Sequence, residues 1–353
     1  MHSVAVVNHY TDNPSDYTIV SRPQPSSPTA LQVLVQVHAA SINPLDSKRA
    51  EGMLAIPLPE PFPLQLGYDL AGTVTAIGSG VRRFSPGDRV YGRVRNEQAG
   101  TVAEFAVTEE ENLARIPDTV RFVAAAAVPV AGLAAKQALV RARLQAGDRL
   151  VVSGGMGGVG LFAVQLAQLH FGVTDITVTV SADKARKAKE LLPKAVAVVE
   201  YTGCDYTEVL EDKADVVLDT IGDSAAYKVA RSGGRVVSVA MVPDARAIDD
   251  FKQPGVPLSL WQWLRLLALK CIVACVAWYL TRGFRAKQVE YLYASVVPDG
   301  CDLEDSFNPL LEDGRLKVVV TEYPFTEKGV QDAFAELRAG HATGKIVIRV
   351  KDD

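Results

Sequence analysis

The stretch SGGMGGVG at residues 153–160 decides the fold. It holds a GxGxxG pattern, which is weak evidence when it stands alone. Here an apolar strand-like run, RLVVSG (149–154), precedes it and a helical segment at 158–170 follows. Glycines in such a turn let backbone N–H groups approach a diphosphate, and the helix N-terminus adds partial positive charge. The pattern therefore predicts a dinucleotide-binding turn rather than a merely flexible loop, and the predicted binding residues are Gly155, Met156, Gly157, Gly158, Val159 and Gly160.

Strands and helices alternate around this turn. A helix is predicted at 182–192, and further apolar strands are predicted at 175–180, 195–201, 214–220, 234–240 and 289–297. Strands that are apolar along their whole length are typical of sheets covered by helices on both faces. The pattern therefore predicts a doubly wound parallel sheet of the Rossmann type.

The two ends of the chain have a different texture. Residues 1–118 show short β-branched runs separated by Pro- and Gly-rich turns, which favours a partly open barrel. The tail, with a strand predicted at 316–320, a helix at 326–339 and a strand at 345–350, resembles this first part. We predict a β-rich domain formed by 1–118 and 303–353, with the Rossmann domain inserted at 119–302.

The end of the second strand of the parallel sheet bears on the choice of cofactor. An acidic residue there favours NAD because it holds the ribose 2′-hydroxyl. This chain has Ser181 there, and Lys184 follows in the loop. A hydroxyl and a cation suit a 2′-phosphate, so NADPH is predicted. Tyr201, after the third strand, either covers the adenosine or is an ordinary surface residue.

Ligands of such sheets lie at the carboxyl ends of the strands. This rule places the ends of the fourth and fifth strands near the nicotinamide half of the cofactor. The residues predicted there are Thr220, Ile221, Gly222, Ala240 and Met241. Asp219 has a simpler reading as a turn or packing residue.

Composition narrows the class of protein. The 353 residues carry a net charge of −4 without a basic run, which argues against a nucleic-acid partner. No two of the four cysteines form a CxxC pair, so a disulfide framework and a structural zinc site are poorly supported. Cys271 and Cys275 are expected to be buried thiols. The first residues do not read as a signal peptide, and a cytoplasmic enzyme is expected.

Several segments together resemble a known family. They are SINPLDSKRAEG (41–52), LGYDLAGTV (66–74), FSPGDRVYG (84–92), VPVAGLAAKQAL (128–139), VVLDTIG (216–222), GGRVVSVA (233–240), VVPDGCDLE (296–304) and GHATGKIVIRV (340–350). In order and spacing the sequence is similar to zinc-independent medium-chain dehydrogenases/reductases, in the branch of quinone oxidoreductases and alkenal/enone reductases. The resemblance implies a GroES-like substrate domain around the Rossmann domain.

The resemblance also implies a metal-free site. Zinc-dependent members have a Cys and a Gly-His-Glu segment where this chain has Asn43-Pro44-Leu45-Asp46 and Gly67-Tyr68-Asp69, and they carry a four-cysteine lobe that is missing here. Catalytic zinc needs about three His, Cys or carboxylate ligands. Without a metal, hydride transfer to the β-carbon of a conjugated carbonyl or to a quinone is the easier reaction.

Two residues are predicted to be catalytic on this resemblance. Lys48 is the candidate donor to the carbonyl oxygen, with cofactor positioning or a solvated loop lysine as alternatives. Tyr68 is a second candidate donor or wall. Asn43 is assigned to cofactor binding, with a structural role as the alternative: together with Asp46 it could fix the loop or orient Lys48. Close relatives have Thr where this chain has Ala134, which leaves the positioning of the nicotinamide open.

Other functions remain open at this stage. One is a trans-acting enoyl reductase on carrier-bound chains, and another is a catalytically weak NADPH-binding sensor. The apolar segment 256–283 holds all three Trp residues and fits a lid over a hydrophobic substrate, a dimer or core helix, or peripheral membrane docking. Both a monomer and a homodimer are compatible with the sequence.

Overall fold

The computed structural model describes residues 1–53, 61–240 and 260–352. The chain forms two compact units. Unit 1 comprises Met1–Leu133 and Val297–Asp353, and unit 2 comprises Ala134–Val296. The insertion of one unit in the other follows the predicted order, although the predicted junctions were placed at 118/119 and 302/303. The assignment of substrate to the outer part and cofactor to the inner part stays a prediction.

The described strands are β1 His2–Val7, β2 Thr18–Arg22, β3 Gln32–Ile42, β4 Leu64–Gln65, β5 Asp69–Ile77, β6 Arg89–Arg93, β7 Phe105–Glu109, β8 Leu113–Arg115, β9 Leu150–Ser153, β10 Ile176–Val180, β11 Ala197–Glu200, β12 Ala214–Asp219, β13 Ala230–Ser238, β14 Glu290–Tyr293, β15 Val320–Pro324 and β16 Lys345–Arg349. The described α-helices are α1 Pro44–Ala50, α2 Phe122–Ala126, α3 Pro129–Arg141, α4 Gly158–Leu169, α5 Ala182–Leu191, α6 Tyr206–Val209, α7 Leu260–Leu280, α8 Arg282–Ala286, α9 Gly300–Asp302, α10 Asn308–Glu312 and α11 Glu327–Ala339.

Unit 2 contains the predicted parallel sheet. Its strand order is β11-β10-β9-β12-β13-β14, and every pairing is parallel. In the order of the chain this is 3-2-1-4-5-6, the doubly wound arrangement whose order reverses between β9 and β12. All residues of β9 and β12 are buried, as their continuous apolar character predicts. The Rossmann prediction is confirmed.

Unit 1 is β-rich. A three-stranded antiparallel sheet has the order β2-β1-β4, and a larger sheet has the order β15-β16-β3-β5-β6-β8, with β7 pairing on β3. Among the described strands of the larger sheet only β15 and β16 pair in parallel; the other pairings are antiparallel. The predicted fold class, a Rossmann sheet inserted in a β-rich domain, is confirmed.

Some local predictions were displaced. The strand predicted at 316–320 is observed at Val320–Pro324, and β7 and β8 were not predicted. The Ala-rich segment 122–139 contributes to two helices, α2 and α3, and the second of these begins at Pro129, where a missing N–H is tolerated.

Helix α7 occupies most of the apolar segment, whose residues 256–259 lie outside the described part. Ile272 and Trp278 are 60% and 66% exposed. The predicted burial of Cys271 and Cys275 is wrong, because both lie on this helix and are exposed. The core-helix alternative does not fit this exposure. Among the described residues no helix is long and apolar enough to cross a membrane.

Candidate active site

The glycine turn of unit 2 connects β9 to α4. Gly154 has a φ of 70°, which favours glycine. A Cβ at Gly155 would lie 2.5 Å from the Val178 Cβ, and a Cβ at Gly160 would lie 2.4 Å from the Gly154 carbonyl oxygen. Glycine is therefore required for the strand, turn and helix to pack this closely.

The first amides of α4 complete this turn. Gly157 is the N-cap, and Gly158 and Val159 are the first residues of the helix. Met156 is 1% exposed and packs into the core instead of facing outward. The Gly155 and Gly157 N–H groups donate to the carbonyls of Thr179 and Gly154, at 3.1 and 3.0 Å. The N–H groups of the first residues of the 12-residue helix have no partner within the helix, which fits the diphosphate of a dinucleotide. The cofactor-binding role of these residues remains a prediction.

The loop after β12 is organised by a buried carboxylate. Asp219 Oδ1 accepts hydrogen bonds from the backbone N–H groups of Ile221 (3.1 Å) and Gly222 (2.9 Å), and Oδ2 accepts from the Ser238 hydroxyl at 2.7 Å. Burial raises the pKa of Asp219, and these donors oppose the shift. Asp219 thus shapes the loop, in line with its reading as a turn residue.

Three of the residues predicted near the nicotinamide, Thr220, Ile221 and Gly222, lie in this loop. The Thr220 hydroxyl donates to the Ser153 carbonyl at 2.6 Å, which ties the loop to the end of β9. Ile221 is 52% exposed. The Ala240 N–H donates to the Ser238 hydroxyl at 3.2 Å, whereas Met241 lies outside the described residues. The loops after β9 and β12 therefore meet at the switch point of the sheet, where ligands bind.

The predicted adenosine side lies at the ends of β10 and β11. Ser181 caps α5 and accepts the Lys184 N–H on its carbonyl at 3.0 Å. Tyr201 is 41% exposed, and its N–H donates to the Val180 carbonyl at 3.0 Å. Thr202, which the sequence did not single out, accepts the Ala182 N–H on its hydroxyl at 2.9 Å. The structure brings Ser181 and Tyr201 to the ends of neighbouring strands. Their contact with the adenosine half of the cofactor stays a prediction.

In unit 1 the segment 41–52 forms the end of β3 and helix α1. Asn43 begins the helix, and its N–H donates to Asp46 Oδ2 at 2.8 Å. Asp46 Oδ1 accepts the Gly67 N–H at 2.9 Å. Asp46 is buried, while Lys48, two residues further along the helix, is exposed. The helix thus buries its carboxylate and presents Lys48 outward.

A buried ionic cluster lies beneath this helix. Asp69 Oδ2 accepts hydrogen bonds from the Ser41 hydroxyl at 2.8 Å and the Asn43 amide at 2.9 Å, and Oδ1 accepts from the Val130 N–H at 2.9 Å. The Lys345 ammonium lies 3.8 Å from Asp69 Oδ2 and donates to the Ile42 carbonyl at 3.0 Å and to Asn43 Oδ1. Both polar atoms of the Asn43 side-chain amide, Nδ2 and Oδ1, therefore have partners within unit 1.

Burial dominates the electrostatics of this cluster. It raises the pKa of Asp46 to about 7, raises the pKa of Asp69 and lowers the pKa of Lys345. The attraction between Asp69 and Lys345 opposes the shifts of both groups. Lys345 was not predicted from the sequence, where its place in the segment GHATGKIVIRV was the only signal.

Tyr68 has a packed environment. Its side chain is fully buried, and the guanidinium groups of Arg49 and Arg93 lie 5.9 and 5.6 Å from its ring centroid. Such cation–π contacts stabilise buried guanidinium groups. Contact between Tyr68 and a substrate stays a prediction.

The carboxylates of the two segments compared with zinc-dependent proteins already have partners within unit 1. Asp46 and Asp69 are occupied by hydrogen bonds, and an ammonium lies beside Asp69. In the described part of the chain no group of three or more His, Cys, Asp or Glu side chains is placed to hold a metal ion.

A glycine cradle at the switch point of a parallel sheet defines a dinucleotide-binding protein, and comparisons with known proteins specify the family. The alcohol dehydrogenase GroES-like domain matches residues 29–118, and the zinc-binding dehydrogenase family matches residues 194–348. The chain belongs to the medium-chain dehydrogenase/reductase family of oxidoreductases, which confirms the family predicted from the sequence.

Individual relatives cover nearly the whole chain. It is 34% identical to the chloroplastic NADPH-dependent alkenal/one oxidoreductase of Arabidopsis thaliana, over 90% of this chain and 72% of that protein. It is 33% identical to the 2-methylene-furan-3-one reductase of Solanum lycopersicum, over 90% of this chain and 71% of that protein. The quinone oxidoreductase structure from Coxiella burnetii has a TM-score of 0.81 and 25% identity, with 99% of each chain covered.

Proposed function

We propose that this protein is an NADPH-dependent reductase that transfers hydride, without a metal, to the β-carbon of an enone or alkenal or to a quinone. The observation that carries the proposal is the closed Asn43–Asp69–Lys345 cluster, which stands where a zinc-dependent relative needs open ligands. The names of the relatives from Arabidopsis and tomato support the same substrate class.

Each predicted residue then has a distinct task. Bound NADPH supplies the hydride. The amides of Gly158, Val159 and Gly160 would hold its diphosphate, and Ser181 and Lys184 would hold the 2′-phosphate. Lys48 donates a hydrogen bond to the carbonyl oxygen as negative charge develops there, which lowers the barrier because the exposed ammonium is a cationic donor.

A cofactor-oxidation screen tests this function. NADPH consumption is followed with small enones, alkenals, quinones and acyl thioesters, with NADH in parallel. Turnover of enones or quinones with NADPH is expected. Activity with thioesters alone would instead support the trans-acting enoyl reductase, and NADPH binding without any turnover would support the sensor.

We also propose that α7 contacts an anionic membrane surface. Residues 252–289 contain six cations, Lys252, Arg265, Lys270, Arg282, Arg285 and Lys287, and no Asp or Glu, although the whole chain is acidic. At the end of the helix, Arg285 and Arg282 lie 5.0 and 4.5 Å from the ring centroids of Trp278 and Tyr279. Exposed apolar and aromatic side chains beside cations suit the interface of an anionic bilayer.

Vesicle flotation distinguishes binding of α7 to a membrane from binding of α7 to a second copy of the chain. The protein is expected to float with phosphatidylglycerol vesicles and not with phosphatidylcholine vesicles. The double variant Ile272→Asp/Trp278→Asp should lose flotation, while Val209→Asp, at another exposed apolar position of unit 2, should keep it. The proposal would be overturned if the protein formed a stable dimer that the double variant dissociates and did not bind vesicles.

We also propose that the protein is located in the cytoplasm, and cell fractionation tests this location.

A further inference from the structure

Three segments distant in sequence converge on one buried point of unit 1. Strands β16, β3 and β5 are neighbours in the larger sheet, with Ile346 opposite Ile42 and Ser41 opposite Asp69. This register brings Lys345 beside Asn43 and Asp69, so the last strand of the chain reaches the beginning of α1.

The ammonium of Lys345 connects these segments. It is 5% exposed, and its three partners are the Ile42 carbonyl, Asn43 Oδ1 and Asp69 Oδ2. Asn43 passes this restraint to the helix, because its own N–H is bonded to Asp46. Burying an ammonium requires compensating partners, and a hydrophobic side chain could not tie these groups together.

The inner face of α1 has further attachments. Asp46 accepts the Gly67 N–H at 2.9 Å, and the guanidinium of the buried Arg49 donates to the Gln65 carbonyl. Helix α1 has only seven residues, so it is too short to be stable by itself. The direction of the exposed Lys48 is consequently set by these buried contacts.

We propose that Lys345 is a positioning residue for the reaction, which through Asn43 and Asp69 fixes the start of α1 and thereby the ammonium of Lys48. This inference rests on the proposed function, because it assigns to Lys48 a contact with the reacting carbonyl. Reacting groups that are displaced by about 1 Å can lose about 100-fold in rate, so a loosened helix is expected to reduce turnover more than cofactor binding.

The test compares Lys345→Met with Lys345→Arg. We expect Lys345→Met to lower kcat for the best enone or quinone about tenfold, to leave the KM for NADPH within about twofold, and to speed hydrogen exchange of the α1 amides. Lys345→Arg should recover most of kcat. Lys351→Met makes the same chemical change at an exposed lysine near the end of β16 and should change none of these quantities.

Two further variants separate positioning from lost stability. Ile346→Ala removes buried apolar volume next to Lys345 and should lower Tm with little change in kcat. Asn43→Ala cuts the link to α1 while Lys345 keeps Ile42 and Asp69 as partners, so it should reproduce the faster exchange if Lys345→Met does not fold. Unchanged kcat and α1 exchange in Lys345→Met, or equal kcat losses in Lys345→Met and Ile346→Ala, would overturn the inference. Absence of turnover in the unmodified protein would contradict the proposed function alone, since the exchange measurement needs no substrate.

Discussion

The glycine turn of unit 2 and the ionic cluster of unit 1 are built in opposite ways. In the turn, the residues that matter lie within eight consecutive positions, 153–160, and their task is set by backbone geometry. In the cluster, the partners come from residues 41–46, 69, 130 and 345, and their task is set by buried charge. A local backbone device leaves a sequence pattern, whereas a device assembled from separate strands leaves isolated polar residues in otherwise apolar strands.

The largest effect is expected at the glycine turn. A methyl group at Gly160 would collide with the Gly154 carbonyl, and backbone atoms cannot yield as a side chain does. We expect Gly160→Ala to weaken NADPH binding about 100-fold, measured by the fluorescence of the bound cofactor. Gly147→Ala is the control, since its added methyl group meets no atom within 4 Å. Equal affinity in both variants would remove the turn from the cofactor site.

The second prediction concerns the buried charge of the cluster. Asp46, whose pKa burial raises to about 7, is neutral in the folded protein at pH 5 and ionised at pH 8. The pKa of Asp46 is higher in the folded than in the unfolded protein, so binding of this proton stabilises the fold. That contribution to the unfolding free energy is complete below the unfolded pKa and is lost as pH rises to about 7. Asp69 raises this pKa further, while Lys345 and Arg49 lower it.

Urea unfolding of the unmodified protein and Asp46→Asn from pH 5 to 8 measures this term. The unfolding free energy of the unmodified protein should fall by roughly 2 kcal/mol relative to Asp46→Asn over that range. Parallel curves would show that Asp46 does not titrate in this window.

The third prediction concerns Lys48, the exposed lysine of the helix that the cluster holds in place. We expect Lys48→Ala to lower the rate of enone reduction by about tenfold while NADPH still binds, because the carbonyl oxygen of the substrate loses its cationic donor. Lys328→Ala, an exposed lysine of α11, serves as the control for steady-state kinetics. Unchanged turnover in Lys48→Ala would eliminate its assignment.

The smallest effect is expected at the adenosine side of unit 2. Lys184→Glu should raise the KM for NADPH about fivefold and leave the KM for NADH nearly unchanged, because a carboxylate repels the 2′-phosphate. Lys189→Glu adds the same charge change in the last turn of α5 and should have a weaker effect. Equal shifts for both cofactors would mean that Lys184 does not distinguish them.

The features that could be predicted from the sequence are those built from consecutive residues. The six-stranded parallel sheet and the glycine turn were recognised because apolar strands and a GxGxxG turn are continuous in sequence. Strands β7 and β8 were missed, and β15 was placed four residues early, because short, partly exposed strands carry little periodic signal. Cys271 and Cys275 were expected to be buried because apolar character was taken for burial, yet α7 is exposed.

For the candidate site, the sequence by itself determined the dinucleotide turn, the family, and the residue types at 43–48 and 67–69. Only the tertiary structure showed that Asn43 and Asp69 share a buried ammonium 302 and 276 positions further along the chain. The physical reason is that hydrogen-bond geometry and desolvation depend on which strands become neighbours. The register of β16 against β3 makes that choice, and no pattern in either strand alone encodes it.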